Sequence, residues 1–177
     1  MNRREFYHLL IGKTKVAILS IFIVAVLYVW LMTIIDHKIA GFSLLVLLLA
    51  TLKSFLISFT TMRQLSRLAE KNYSFERLLL IFGLLIGLTV FSFATDFSCL
   101  YEYDVASFTG ISPSYTHYLD RLFQFFYFSM ITFSTVGYGD IAPNSTAAQY
   151  LIMLEISISF LIIVFAFANL KNRESHG

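Results

Sequence analysis

The chain has 177 residues, 58% of them hydrophobic, 17% aromatic and 14% charged, with a net charge of +2 at pH 7. Soluble domains average about half apolar and a quarter charged residues; this balance, with a mean hydropathy of +0.74, excludes a disordered chain. The single cysteine, Cys99, excludes a disulfide scaffold, and the small net charge excludes a nucleic-acid partner. The apolar residues lie in runs too long for one soluble core of this size, so the chain reads as an all-α integral membrane protein.

Four stretches are long enough for a hydrocarbon core of about 30 Å, which takes about 20 helical residues. The first runs from Val16 to Ile35 without a charge and is followed by no small-residue cleavage pattern, so it reads as a retained span rather than a signal peptide. The second is Phe42 to Met62, interrupted by Lys53. The third runs from Leu78 to Ala94 or a little beyond, and the fourth from Ala147 to Leu170, interrupted by Glu155. Residues 1–71, with two accessory spans, divide from a second unit at 72–177.

Basic residues set the expected orientation. Arg3, Arg4, Lys13 and Lys15 precede the first span, and Arg63, Arg67, Lys71 and Arg77 lie between the second and third. Lys171 and Arg173 follow the fourth. By the positive-inside rule both termini are cytoplasmic in a multi-pass cell-membrane protein. The Asp36–Gly41 turn and the Phe97–Thr146 segment then face outward, with Asp96, Glu102, Asp104, Asp120 and Asp140 making that side acidic.

Between the third and fourth spans lies a shorter apolar piece, Leu119 to Phe133. As a helix it covers about 22 Å, too short to cross and suited to a re-entrant segment. Ser134-Thr135-Val136-Gly137-Tyr138-Gly139-Asp140 follows at once. Glycines at the third and fifth positions of Thr135–Gly139 admit backbone angles closed to other residues, so successive carbonyls can face one side. Carbonyls cannot be left facing lipid; such a strand lines a path inside protein. One chain supplies one row of oxygens, so several copies are needed to close a ring.

At these residues the sequence resembles the potassium-channel pore family, whose five-residue filter is a standard example of ion selectivity. The resemblance extends from Tyr127 through Ser134 to Asp140, Ile141 and Pro143, and covers about Arg77 to Leu170. It implies a homotetramer with four spans and one pore loop per subunit. Thr135, Val136, Gly137, Tyr138 and Gly139 then form the selectivity filter for K+, with Asp140 at the outer mouth and Tyr127 bracing the filter through its hydroxyl. The fourth span becomes the inner helix and the third the outer helix. Where some channels carry a pore-helix carboxylate this chain has Ile131, and where many have a hinge glycine it has Ser159. Ser157 and Ser159 can instead bond back to their own helix.

Glu155 is read as an anchor of the re-entrant helix or filter, with a cavity charge and a protonated or Lys53-paired state as alternatives. Ile156, Phe160, Ile163 and Phe167 form a stripe suited to a cavity wall, and Ile163 with Phe167 suits a hydrophobic gate. Lys53 is expected to snorkel toward water. Thr51, Ser54, Ser58 and Thr61 read as a helix-packing stripe, as do Gly83 and Gly87. Arg63, Arg67 and Lys71 sit past the second span, so they read as lipid-facing and not as a voltage sensor. Tyr101, Tyr103, Tyr115 and Tyr118 suggest an interfacial belt, and Cys99 a free thiol near the outer surface.

The function expected is passive conduction of K+ through a tetrameric filter, without a conventional voltage sensor. A weakly selective cation channel and a regulatory subunit of a larger assembly are the alternatives. The partners expected are K+, membrane lipid and further copies of the chain, with no cofactor and no metal beyond K+. No nucleophile–base or metal-ligand set suggests an enzyme.

Overall fold

A computed structural model describes residues 41–69, 75–112 and 117–174, together with positions 19, 23, 26, 27 and 30. The rest of the first apolar stretch, the turn before Gly41, the side chains of Arg63, Arg67, Lys71 and Arg77, and those of Lys171 and Arg173 lie outside the described residues, as does Tyr115.

Four long helices dominate: α1 (Phe42–Ala69), α2 (Phe75–Tyr103), α3 (Tyr118–Phe133) and α4 (Thr146–Glu174). Three of them, α1, α2 and α4, are long and apolar enough to cross a membrane, over Phe42–Phe59, Leu79–Tyr103 and Thr146–Ala168. α3 is the short re-entrant piece and begins one residue before its predicted start.

Each helix has a face that explains its place. On α1, Val46, Ala50, Lys53, Ser54 and Ile57 are buried at spacings of three and four, while Leu44, Leu48, Leu52, Phe55 and Phe59 are exposed. An apolar exposed face is what a helix presents to lipid. The Phe42 ring stacks on Tyr103 at 4.9 Å, so the start of α1 meets the end of α2 and the two run antiparallel. α2 is buried at every position from Ser92 to Leu100, wedged among its three neighbours. α4 turns Ala148, Leu151, Glu155, Ile158, Ser159 and Ile162 inward, against α1, α2 and α3. Its start is capped by the Ser145 hydroxyl, which accepts from the Ala148 amide at 3.2 Å.

An aromatic cluster joins α2 to α3. Phe97 packs against Phe128 at 5.3 Å and Phe125 at 6.4 Å between ring centroids, and Phe108 closes on Phe125 at 5.0 Å. Such pairs add about 0.5–1.5 kcal/mol each beyond their burial. Arg121 donates to Glu102 at 2.5 Å, tying the start of α3 to the end of α2.

After α2 the chain makes a single turn of 3-10 helix at Val105–Ser107, capped by Asp104, and enters β1 (Phe108–Thr109). β1 pairs antiparallel with β2 (Ala142–Pro143), in the register Phe108 with Pro143 and Thr109 with Ala142. Asn144 reinforces this clasp by donating its amide to Ser107 O at 2.8 Å and its side chain to Ala106 O at 3.0 Å. Gly110 follows at φ +85, where an added Cβ would collide with the backbone carbonyl of Asp140.

Several expectations need correction. The third stretch, expected to end at Ala94 or a little beyond, continues as helix α2 to Tyr103, so Phe97 to Tyr103 of the expected outward segment are helical. Asp96 is fully buried, and so contributes nothing to an acidic outer surface. Cys99 is a free thiol but a buried one. Tyr101 and Tyr103 are half-buried and pack on Phe125 and Phe42. Gly83 and Gly87 have nothing among the described residues within 4 Å of an added Cβ, so no described helix packs closely on them.

Candidate functional site

α3 ends because the chain leaves helical angles at the next two residues. Ser134 donates its amide and its hydroxyl to Met130 O, and Thr135 donates to Thr132 O at 3.0 Å. Thr135 then takes φ +58, the only non-glycine residue at positive φ among the described residues. For a β-branched residue this costs of the order of 1–3 kcal/mol and persists only where surrounding contacts enforce it. Val136 and Gly137 donate their amides back to Ile131 O at 2.9 and 3.4 Å, which is the enforcing contact.

Gly137 follows at φ +55 and Gly139 at φ +78, so every second residue from Thr135 to Gly139 is left-handed. Alternating handedness is a backbone pattern that allows successive carbonyl oxygens to face one side, where an ordinary strand alternates them. Residues Ser134 to Asp140 are all exposed in the single chain, Tyr138 to 71% and Val136 to 50%. The five residues predicted from sequence therefore form one continuous, uncovered backbone ribbon. The carboxy-terminal end of α3, where the helix dipole is negative, lies directly beneath it.

Around this ribbon the structure places the other predicted residues. Tyr127 donates its hydroxyl to Asp140 Oδ2 at 2.8 Å, across the base of the loop. That hydrogen bond, followed by desolvation and the charge of Asp140, pushes the Tyr127 pKa above its ordinary value. Glu155, fully buried on α4, accepts the Ser129 hydroxyl of α3 through Oε1. Ser129 also reaches Val90 O of α2 at 2.9 Å. One serine thus joins three helices directly behind the loop. Ser157 and Ser159 bond back to Met153 O and Glu155 O, each at 2.7 Å.

On α4, Ile156 and Phe160 are exposed, Ile163 is half-buried and Phe167 is 68% exposed. Three of the four stripe residues are thus exposed in the single chain, on a side of α4 turned roughly 80–140° from Glu155. Among the described residues no group of three or more His, Cys, Asp or Glu is placed to hold a metal.

Residues 98–174 match the family described as Ion channel, a segment holding the last turns of α2, all of α3, the loop and α4. This part of the chain is similar to the ion-channel family over 98–174, less than half of the chain. The family is one of channels and not of enzymes, and its helices are those of a membrane protein. The chain is similar to potassium channel subfamily T member 1 of Gallus gallus, with 41% identity over 49 residues, 28% of this chain and 4% of that protein. The Homo sapiens protein of that name is 40% identical over 45 residues, 25% of this chain and 4% of its own length. Two-pore potassium channel 4 of Arabidopsis thaliana is 29% identical over 85 residues, 48% of this chain and 27% of that protein. The chain therefore spans only a small part of the relatives it matches. No solved structure matches it.

Sequence reasoning missed the partner of Lys53. Lys53 does not snorkel: it is 1% exposed, and its Nζ donates to Asp96 Oδ1 at 2.6 Å and to Ser92 O at 3.0 Å. Their pairing leaves no signal in the sequence, since the two residues lie 43 positions apart on different helices. Ser129 and the β1–β2 clasp were also missed, and neither carries a composition signal.

Proposed function

We propose that the chain assembles as a homotetramer that conducts K+ passively and selectively across the cell membrane. The observation that carries this reading is the alternation of left-handed angles at Thr135, Gly137 and Gly139 in a ribbon left bare by its own chain. Four such ribbons around an axis supply rings of carbonyl oxygens from Thr135, Val136, Gly137 and Tyr138, with Gly139 shaping the outer end, and these replace the hydration shell of the ion. Asp140, held by Tyr127, draws cations to the outer mouth. Glu155 anchors the pore helix through Ser129. The uncovered face of α4 lines the cavity, and rings of Ile163 and Phe167 close it by dewetting. Residues 72–177 are the pore unit, residues 1–71 are accessory to it, and both termini are cytoplasmic.

Voltage enters only weakly. Moving one charge through the field contributes about 2.3 kcal/mol per 100 mV, so steep gating takes several mobile buried charges. Lys53 is held by Asp96 and is not mobile. The test is rubidium uptake into liposomes holding the purified chain, with tetramers counted by cross-linking. Uptake that sodium does not match, from cross-linked tetramers, supports the reading. Equal rubidium and sodium uptake favours a weakly selective cation channel, and no uptake favours a regulatory subunit.

A further inference from the structure

The accessory part of the chain makes one buried polar contact with the pore unit that burial alone does not explain. Lys53 on α1 is paired with Asp96 on α2, at 1% and 0% exposure, and neither residue falls within the segment matched to the ion-channel family. Taking two charges out of water is costly, and an apolar pair of similar volume is commonly as stable. The pair therefore asks for a role other than stability.

Its position suggests one. Lys53 grips α2 at two places on one turn, the Asp96 carboxylate and the Ser92 carbonyl. The neighbouring face of the same helix holds α3: Phe97 packs on Phe125 and Phe128, and the Ser129 oxygen lies 2.9 Å from Val90 O. The filter ribbon is hydrogen-bonded to the last turn of α3 through Ile131 O. A short continuous path of packed and hydrogen-bonded groups thus runs from α1 to the filter. On the other side of α1, the Thr51 hydroxyl meets the Tyr150 hydroxyl of α4 at 3.1 Å, so α1 is also registered against the helix that lines the cavity.

We propose that Lys53 is a positioning residue for the filter: its ion pair with Asp96 fixes the rotation of α2 under α3 and so holds the loop in its conducting form. An apolar contact in its place tolerates rotation and sliding, whereas a directed pair with a second bond to Ser92 O does not. The accessory helix α1 is then a regulator of conduction and not a passive anchor. This rests on the channel function proposed above.

The experiment records single channels from the full purified chain in planar bilayers. The double variant Lys53→Met with Asp96→Leu removes both charges at similar volume. The expected result is tetramers of unchanged thermal stability whose open probability falls by roughly tenfold, a population shift without loss of fold. Unchanged open probability in this variant overturns the proposal, since a merely structural pair is replaceable by apolar packing. If the double variant does not assemble, Lys53→Arg decides. It keeps the charge but alters the reach, so open probability is expected to shift by roughly threefold. Open probability as in the unsubstituted chain overturns the proposal. Absence of potassium current from the unsubstituted chain would overturn the channel reading instead, so the two failures are distinguishable.

Discussion

Two regions of this molecule meet behind one loop and work by opposite means. The ribbon from Thr135 to Gly139 does its chemistry with backbone, uses side chains mainly to set angles, and is bare in the single chain. The layer behind it, where Lys53 meets Asp96 and Glu155 meets Ser129, does its work with side chains, and all four are buried. The ribbon is exposed in the single chain, whereas the layer behind it is buried, with Glu155 Oε2 left without a hydrogen-bond partner among the described residues. Under the proposed function, selectivity is left to assembly, and the layer behind the ribbon stiffens it.

Gly137→Ala attacks the ribbon alone and carries the largest expected effect. Nothing lies within 4 Å of the added Cβ, so the substitution fits in space and fails in angle. At φ +55 an L-residue costs about 1–2 kcal/mol per chain, multiplied by the copies in the ring. Potassium current is expected to disappear while membrane insertion, read by protease protection, stays normal. Persistence of selective current would break the distinction between the two regions.

The converse experiment leaves the ribbon and weakens the layer. Glu155→Val removes the acceptor of the Ser129 hydroxyl, and a lost buried hydrogen bond costs about 1–3 kcal/mol. Glu155→Gln keeps an oxygen in place. Thermal dissociation of tetramers is expected to be earlier in Glu155→Val than in Glu155→Gln. Equal stability of both with the unsubstituted chain would show that Glu155 does not anchor α3.

Phe167→Asn lies far from both regions and sharpens the comparison by leaving them intact. A polar ring holds water where an apolar ring dewets, so open probability should rise with ion selectivity unchanged. A selectivity change would mean that the filter and the inner end of α4 are mechanically one unit.

The smallest effect belongs to Tyr127, which touches the ribbon from outside. Its pKa is raised above the ordinary tyrosine value of about 10 by the bond to Asp140. The protonated form is therefore favoured by the folded state, and its contribution is present below that ordinary value and lost as pH rises through the higher one. Current should decline at alkaline pH more slowly or not at all in Tyr127→Phe, which has no proton to lose. A wild-type alkaline decline in Tyr127→Phe would place the sensitive group elsewhere.

What was legible in the sequence follows the same division. The loop and its re-entrant helix were readable because both are contiguous: an apolar run too short to cross, then glycines at alternate positions. α3 accordingly begins within one residue of its expected start. The end of α2 was not readable. Asp96, Ser98 and Glu102 look like the polar exit of a span, yet Asp96 meets a lysine 43 residues away on another helix, and the helix runs on to Tyr103. Pairwise satisfaction of a buried charge leaves no local pattern. The β1–β2 clasp was hidden for the same reason, since two residues of strand carry no period.

The central claim is that four copies of this ribbon select K+. A bi-ionic recording tests it most directly, with the purified full chain in a planar bilayer, K+ on one side and Na+ on the other. The account predicts a reversal potential far from zero, in the direction set by a channel that passes K+ and excludes Na+. A reversal potential near zero, from channels that carry current, would contradict it.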